Sequence, residues 1–318
     1  MVLKIYERMV FMEYIVRTLD ICKKYKSHKA LDGVCMNVAR GDIYGFVGEN
    51  GSGKTTIIRV ITGLIFADSG SFELFGISHT SPDVLKARAK IGAIVEAPSI
   101  YLNMTAYENL KMQCGILGIN DESKIKEALE LVGLGYLYED KKKAGNFSLG
   151  MRQRLGIAMA LIGDVELLIL DEPMNGLDPA GIVEIRELIL KLNRERNITF
   201  IISSHILTEL SLVATNYGII SKGKIIKEVS ARQLQSECRH FTLFESDNRG
   251  LLVTTLANYF EADDIEPVPN GAMVYGDVNL NDIVPRLIEA GVNITAINTT
   301  KSSIEDYYLR VVGGGANA

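Results

Sequence analysis

The sequence predicts an α/β protein in which a parallel core sheet covered by helices is followed by a small α+β unit. Three observations carry that reading. Short β-rich runs alternate with helical patterns from residue 13 to about 235, the rhythm of strands joined by crossover helices. Several of the runs are continuously apolar rather than alternating, which suits a sheet buried on both faces: Ile43-Tyr-Gly-Phe-Val47, Leu167-Leu-Ile-Leu170 and Ile198-Thr-Phe-Ile-Ile202. The element order then changes after Glu237, where strand, helix, strand, strand, helix, strand follow one another.

Taken along the chain, residues 43–47 read as a buried strand, and the glycine-rich stretch 48–53 follows it directly. Residues 55–64 place Ile57, Ile58, Ile61 and Leu64 on one helical face. Residues 106–137 are mostly helical, with Leu129 and Val132 at helical spacing. Ser148 is positioned to cap a helix over residues 149–162 whose buried face holds Leu155, Met159 and Ile162. In the tail, strands at 241–244, near Ile265, at 272–275 and at 294–297 are interleaved with helices at 250–260 and 281–290. That βαββαβ order is a split βαβ unit of the ferredoxin-like kind, and residues 304–312 add a final helix. Three segments result: an N-terminal extension 1–12, a main domain 13–235 and a C-terminal accessory domain 236–318.

Composition narrows the function. With 47% hydrophobic residues in 318, the chain has the material for folded cores, and intrinsic disorder is excluded. Lys and Arg total 34 against 39 Asp and Glu, so the basic excess of a general nucleic-acid binder is missing. The acidity is concentrated: residues 237–318 hold 12 acidic and five basic side chains, a balance of −7, while residues 1–236 carry +2. Four scattered cysteines with no CxxC pair argue against a disulfide framework or a structural zinc site. No apolar run approaches the roughly 20 residues that a membrane helix needs. Glu7, Arg8 and Glu13 interrupt the N-terminus before a signal-peptide core can form.

Two motifs carry phosphate chemistry. Gly48-Glu49-Asn50-Gly51-Ser52-Gly53-Lys54-Thr55 matches the phosphate-binding loop GxxxxGK[ST] between a strand and a helix. Its glycines let backbone N–H groups turn inward around a phosphate, the Lys54 ammonium reaches the β- and γ-phosphates, and the Thr55 hydroxyl ligates Mg²⁺. Thr56 lies in the first turn of the helix whose positive end faces the same anion. Downstream, the apolar strand 167–170 runs into Asp171-Glu172-Pro173. Asp171 is thereby offered to the metal, and Glu172 to an attacking water as general base.

A third motif points to a family. Phe147-Ser148-Leu149-Gly150-Met151-Arg-Gln153-Arg154 resembles the LSGGQ signature of the ATP-binding cassette (ABC) ATPases. The resemblance implies their fold: a parallel core sheet, an antiparallel edge subdomain and a helical subdomain, here at about 97–160. It also implies ATP and Mg²⁺. In this reading Tyr25 stacks on adenine, Asn175-Gly-Leu-Asp178 is the loop that touches the opposite site across a dimer, and His205 contacts the γ-phosphate. Ser148 and Gly150 would bind the nucleotide held by the other chain, because one chain has a single motif set; an ATP-bound homodimer follows. The position that normally holds a metal-contacting Gln is Glu96 in Val95-Glu96-Ala97-Pro98, and it is assigned to the metal. Leu149, Met151 and Asn175 also depart from the family pattern, and with Glu96 they resemble the cassettes of bacitracin-resistance and lantibiotic-immunity exporters. The implied function is an ATPase subunit powering export of an antimicrobial peptide, drug or other hydrophobic substrate. It would sit in the cytoplasm, peripheral on the inner face of the membrane through a separate permease, with no nucleic-acid partner. The alternatives are an importer cassette or a soluble ABC ATPase acting on ribosomes or DNA. The chain has neither the paired cassettes nor the long inserted coiled coil of the latter class.

Overall fold

The structure, a computed structural model, describes residues 13–238, 240–301 and 304–314. The N-terminal extension 1–12 lies outside the described residues. The chain divides into two compact units, one through Ala231 and one from Arg232 onward. Among the described residues, no helix is long and apolar enough to cross a membrane.

The first unit opens with an antiparallel hairpin, β1 (Tyr14–Tyr25) and β2 (His28–Ala39), closed at the Tyr25–His28 pair. Next come β3 (Ile43–Val47), α1 (Lys54–Thr62), β4 (Ser69–Leu74), β5 (Ile77–Ser78), α2 (Val84–Arg88) and β6 (Ile91–Ile94). Three helices follow, α3 (Ala106–Leu117), α4 (Ser123–Leu131) and α5 (Leu149–Leu161). The unit ends with β7 (Leu167–Asp171), α6 (Pro179–Arg196), β8 (Thr199–Ser204), α7 (Leu207–Ser211), β9 (Asn216–Ser221) and β10 (Lys224–Ser230); α8 (Ala231–Glu237) comes next.

Two sheets form the unit. The antiparallel sheet has order β2-β1-β4-β5, and the core sheet has order β10-β9-β3-β8-β7-β6. Within the latter, β9, β3, β8, β7 and β6 are parallel and only β10 runs against its neighbour. Every residue of β3 and β7 is buried, as continuous apolar runs require in a sheet covered on both faces. Ile57, Ile58 and Ile61 of α1 are fully buried in one core with Leu167, Ile169 and Ile201. Burying a side chain of that size contributes about 1.5–3 kcal/mol each. Leu64 does not belong to this face. Gly63 adopts φ 83°, caps the helix through its N–H and ends α1 at Thr62, leaving Leu64 64% exposed.

The helical region is built by local chemistry. Thr105 and Glu108 form a reciprocal capping box at the start of α3. Ser148 caps α5, its Oγ accepting from the Met151 N–H at 3.2 Å. Leu155 of α5 is fully buried, whereas Met159 is only half-buried. A Cβ at Gly156 would lie 2.5 Å from Pro98, so the glycine lets the segment after β6 pack on the helix.

The second unit contains β11 (His240–Ser246), α9 (Arg249–Leu256), β12 (Ile265–Val268), β13 (Gly271–Tyr275), α10 (Leu280–Glu289), β14 (Ile294–Lys301) and α11 (Ile304–Gly314). Its sheet has order β12-β13-β11-β14 with every pairing antiparallel, which interleaves two βαβ units. Alternate residues of β11, Thr242, Phe244 and Ser246, are buried. Phe244 shares a core with Leu252 and Leu256 of α9 and Ile283 and Leu287 of α10.

Candidate functional site

Parallel strands put all their carboxyl ends on one edge of the sheet, and β3, β8 and β7 are neighbours there. Val47 is in register with Ser204, and Asp171 with Ser203, so the segments leaving these strands meet at one level.

The loop after β3 is held tightly at its start. A Cβ at Gly48 would lie 2.4 Å from the Ile220 carbonyl oxygen, so only glycine fits. Gly53 adopts φ 113° as the N-cap of α1 and supplies no capping side chain. The first N–H groups of α1, with the positive end of its dipole, therefore face the cleft as an anion site. Lys54 is 5% exposed, its Nζ donating to the carbonyls of Gly48 (2.6 Å) and Glu49 (3.2 Å). Ser52 Oγ is buried with no hydrogen-bond partner among the described residues, an orphaned polar atom that a phosphate oxygen would satisfy.

Opposite the loop, Thr55 Oγ1 donates to Asp171 Oδ2 at 2.8 Å, and Ser203 Oγ donates to Asp171 Oδ1. The Thr55 and Asp171 oxygens are a hard donor set suited to a divalent cation such as Mg²⁺. Glu172 sits just past the strand at φ 51°, a left-handed conformation disfavoured for a residue with a Cβ. Its carboxylate lies 3.5 Å from Lys54 Nζ and accepts from His205 Nδ1 at 2.6 Å. A base, a cation and an imidazole thus converge within hydrogen-bonding reach of one another, beside a candidate anion site.

A cleft of about 480 Å³ gathers most of the predicted residues: Tyr25, Asn50, Gly51, Gly53, Lys54, Thr55, Thr56, Glu96, Asp171, Glu172 and His205 all line it. Gly48, Glu49, Ser52, Ser148, Gly150 and Asp178 do not line it. Ser148 is exposed at the start of α5, and Asp178 caps α6 by accepting from the Gly181 N–H. Glu96 borders the cleft at φ 66°, is 66% exposed, and pairs with Arg59 Nη2 at 2.5 Å. An ion pair so exposed contributes only about 0–1 kcal/mol, so it is easily exchanged.

Sequence reasoning missed His28 and Ala30 in the lining, and Arg59 and Ser203 beside it; Asn175, read as part of a loop that touches the opposite site, also lines this chain's own cleft. His28 follows Tyr25 across a tight hairpin turn, a signal that the sequence carries only once that hairpin is known. Nothing local marks Ser203 as the partner of Asp171.

Comparison with known proteins agrees with this geometry. The family model described as ABC transporter matches residues 31–175. The chain is 44% identical to the bacitracin transport ATP-binding protein BcrA of Bacillus licheniformis, over 96% of this chain and 99% of that one. It is also 44% identical to the lantibiotic transport ATP-binding protein SrtF of Streptococcus pyogenes, over 67% of this chain and 90% of that one. Among solved structures, the dimeric bacterial ABC transporter cassette MJ0796 superposes with a TM-score of 0.60 at 26% identity, covering 68% of this chain and 99% of that one.

Proposed function

The chain belongs to the family of ABC transporter ATP-binding proteins, ATPases that power transport, and within it we propose that this chain is the ATPase subunit of an exporter for antimicrobial peptides or related hydrophobic compounds. The observation that carries the catalytic part is the meeting of Lys54, Glu172 and His205 at the carboxyl ends of adjacent parallel strands. The export part is supported by likeness to bacitracin and lantibiotic transport proteins, the former over nearly the whole chain.

In this mechanism the loop amides, the α1 N-terminus and Lys54 bind the phosphates, and Tyr25 stacks on the base. Thr55 and Asp171 would hold Mg²⁺, which when bound neutralises charge on the β- and γ-phosphates. Glu172 takes the proton of the attacking water, and His205 holds the Glu172 carboxylate in place while facing the γ-phosphate. Ser148 and Gly150, which do not line their own cleft, complete the site of a second copy in an ATP-bound homodimer. Asp178 reaches the same interface. The chain works at the cytoplasmic face of the membrane, held there by the permease.

A groove of about 450 Å³ between the segment after β6 and α5 supports a docking place for that permease. Ala97, Pro98, Ser99, Gln113 and the exposed Leu64 line it. With a photocrosslinker at Ser99, the full complex should yield a covalent adduct with a multi-helix membrane permease. Adducts formed only from positions beyond residue 240 would overturn the assignment.

Glu96 belongs to the same reading. On nucleotide binding its carboxylate leaves Arg59 for the metal side of the cleft, so Glu96→Gln should raise the Mg²⁺ concentration that half-saturates hydrolysis by about 3- to 10-fold, at the lower edge of what altered metal-site groups cause. A variant with the parental Mg²⁺ dependence and rate removes Glu96 from the metal site.

A further inference from the structure

We propose that Ser203 is a positioning residue that locks the metal-side carboxylate and the general base of the ATP site into one rigid unit. The proposal rests on the roles given above to Asp171 and Glu172. Ser203 is 0% exposed and follows Phe200, Ile201 and Ile202, all buried, on β8. A hydroxyl in such a strand is unfavourable unless it is partnered, and both of its partners belong to the site.

The direction of each bond is fixed by chemistry. A serine hydroxyl has one proton and two acceptor positions. The proton goes to Asp171 Oδ1, because an ionised carboxylate can only accept. A lone pair then accepts the Glu172 N–H at 3.0 Å, and the Ser203 carbonyl shares that N–H at 3.2 Å. With Oδ1 held, the Asp171 carboxylate cannot rotate, and Oδ2 stays beside Thr55 Oγ1. With its amide anchored, Glu172 keeps the left-handed backbone at φ 51° that turns its side chain over the cleft toward Lys54 and His205. Such a conformation persists only when surrounding contacts hold it, and Ser203 supplies two of them. One hydroxyl therefore sets the aim of both acidic groups.

The test compares the full-length parent with Ser203→Ala, Ser203→Thr, Ser203→Cys, Glu172→Gln and the double variant Ser203→Ala/Glu172→Gln. Readouts are kcat, KM for ATP, the Mg²⁺ half-saturation, affinity for a fluorescent ATP analogue with and without Mg²⁺, and the melting temperature. Ser203→Ala should lower kcat by about 10- to 100-fold, the range seen when an outer partner of a metal ligand is removed. Affinity without Mg²⁺ should stay within about twofold, while the gain in affinity on adding Mg²⁺ shrinks. Ser203→Thr, which keeps the hydroxyl, should recover most of the rate. Ser203→Cys keeps the packing but bonds weakly, and should resemble Ser203→Ala even if the alanine variant folds poorly. In the Glu172→Gln background, Ser203→Ala should subtract less further rate than in the parent, because one of the two groups through which it acts is already gone, while the shrunken gain in affinity on adding Mg²⁺, which acts through Asp171, should persist. Parental kcat and Mg²⁺ dependence in Ser203→Cys or Ser203→Ala, with Glu172→Gln inactive, overturns the positioning role alone. Full activity of Glu172→Gln overturns instead the hydrolytic reading beneath it.

Discussion

Glu172→Gln should lower the rate of ATP hydrolysis by roughly two to four orders of magnitude, the span associated with losing a general base. The substitution keeps shape and removes one negative charge. The backbone bond from Glu172 N–H to Ser203 does not involve the side chain, so the turn after β7 should persist. Nucleotide affinity should hold or rise slightly, because a carboxylate 3.5 Å from Lys54 Nζ competes with phosphate for that cation. Binding without hydrolysis leaves the closed form nothing to reopen it. The variant should therefore elute as a dimer from size-exclusion chromatography in ATP, where the parent does not. Phosphate release measured at the parental rate would remove Glu172 from the chemistry.

Lys54→Ala should weaken ATP binding by about 100- to 1,000-fold, the scale expected when one member of a buried charged interaction is deleted. The ammonium is buried and held by the Gly48 and Glu49 carbonyls, so it is pre-oriented toward the centre of the loop. Its removal takes the ammonium donor from the Gly48 carbonyl, leaves the Glu49 carbonyl with the Ser52 N–H alone, and deprives Glu172 of its nearest cation. Lys54→Arg should not restore binding, because a planar guanidinium cannot occupy the space of a compact ammonium. The melting temperature should change little, since the core under the loop is made by Ile57, Ile58 and Ile61. Titration with a fluorescent ATP analogue settles the matter, and an affinity within fivefold of the parent would contradict the assignment.

Much of the site was legible because its chemistry is local. A strand, a glycine-rich loop and a helix must be adjacent in sequence for N–H groups and Lys54 to encircle one phosphate, so the motif alone determines that geometry. The same holds for Asp171 and Glu172, which end a buried strand, and for Ser148, whose cap bond spans only three residues. Helix ends were less legible. Gly63 stops α1 two residues earlier than the apolar spacing of Leu64 implies, because a left-handed cap outweighs one more hydrophobic position.

What the sequence by itself determined was the α/β class and the places of the glycine-rich loop and the acidic pair at the ends of buried strands, since each depends on residues within a few positions of one another. Only the tertiary structure decided which distant groups face that chemistry. Ser203 meets Asp171 because β7 and β8 lie side by side in a particular register, and that register is set by side chains packing on both faces of the sheet. Arg59 meets Glu96 because α1 and the end of β6 come together over the same core. His28 enters the cleft because the β1–β2 hairpin closes at Tyr25. Each pairing is a product of long-range packing, whose energy is spread over the whole core and leaves no mark at the residues it brings together.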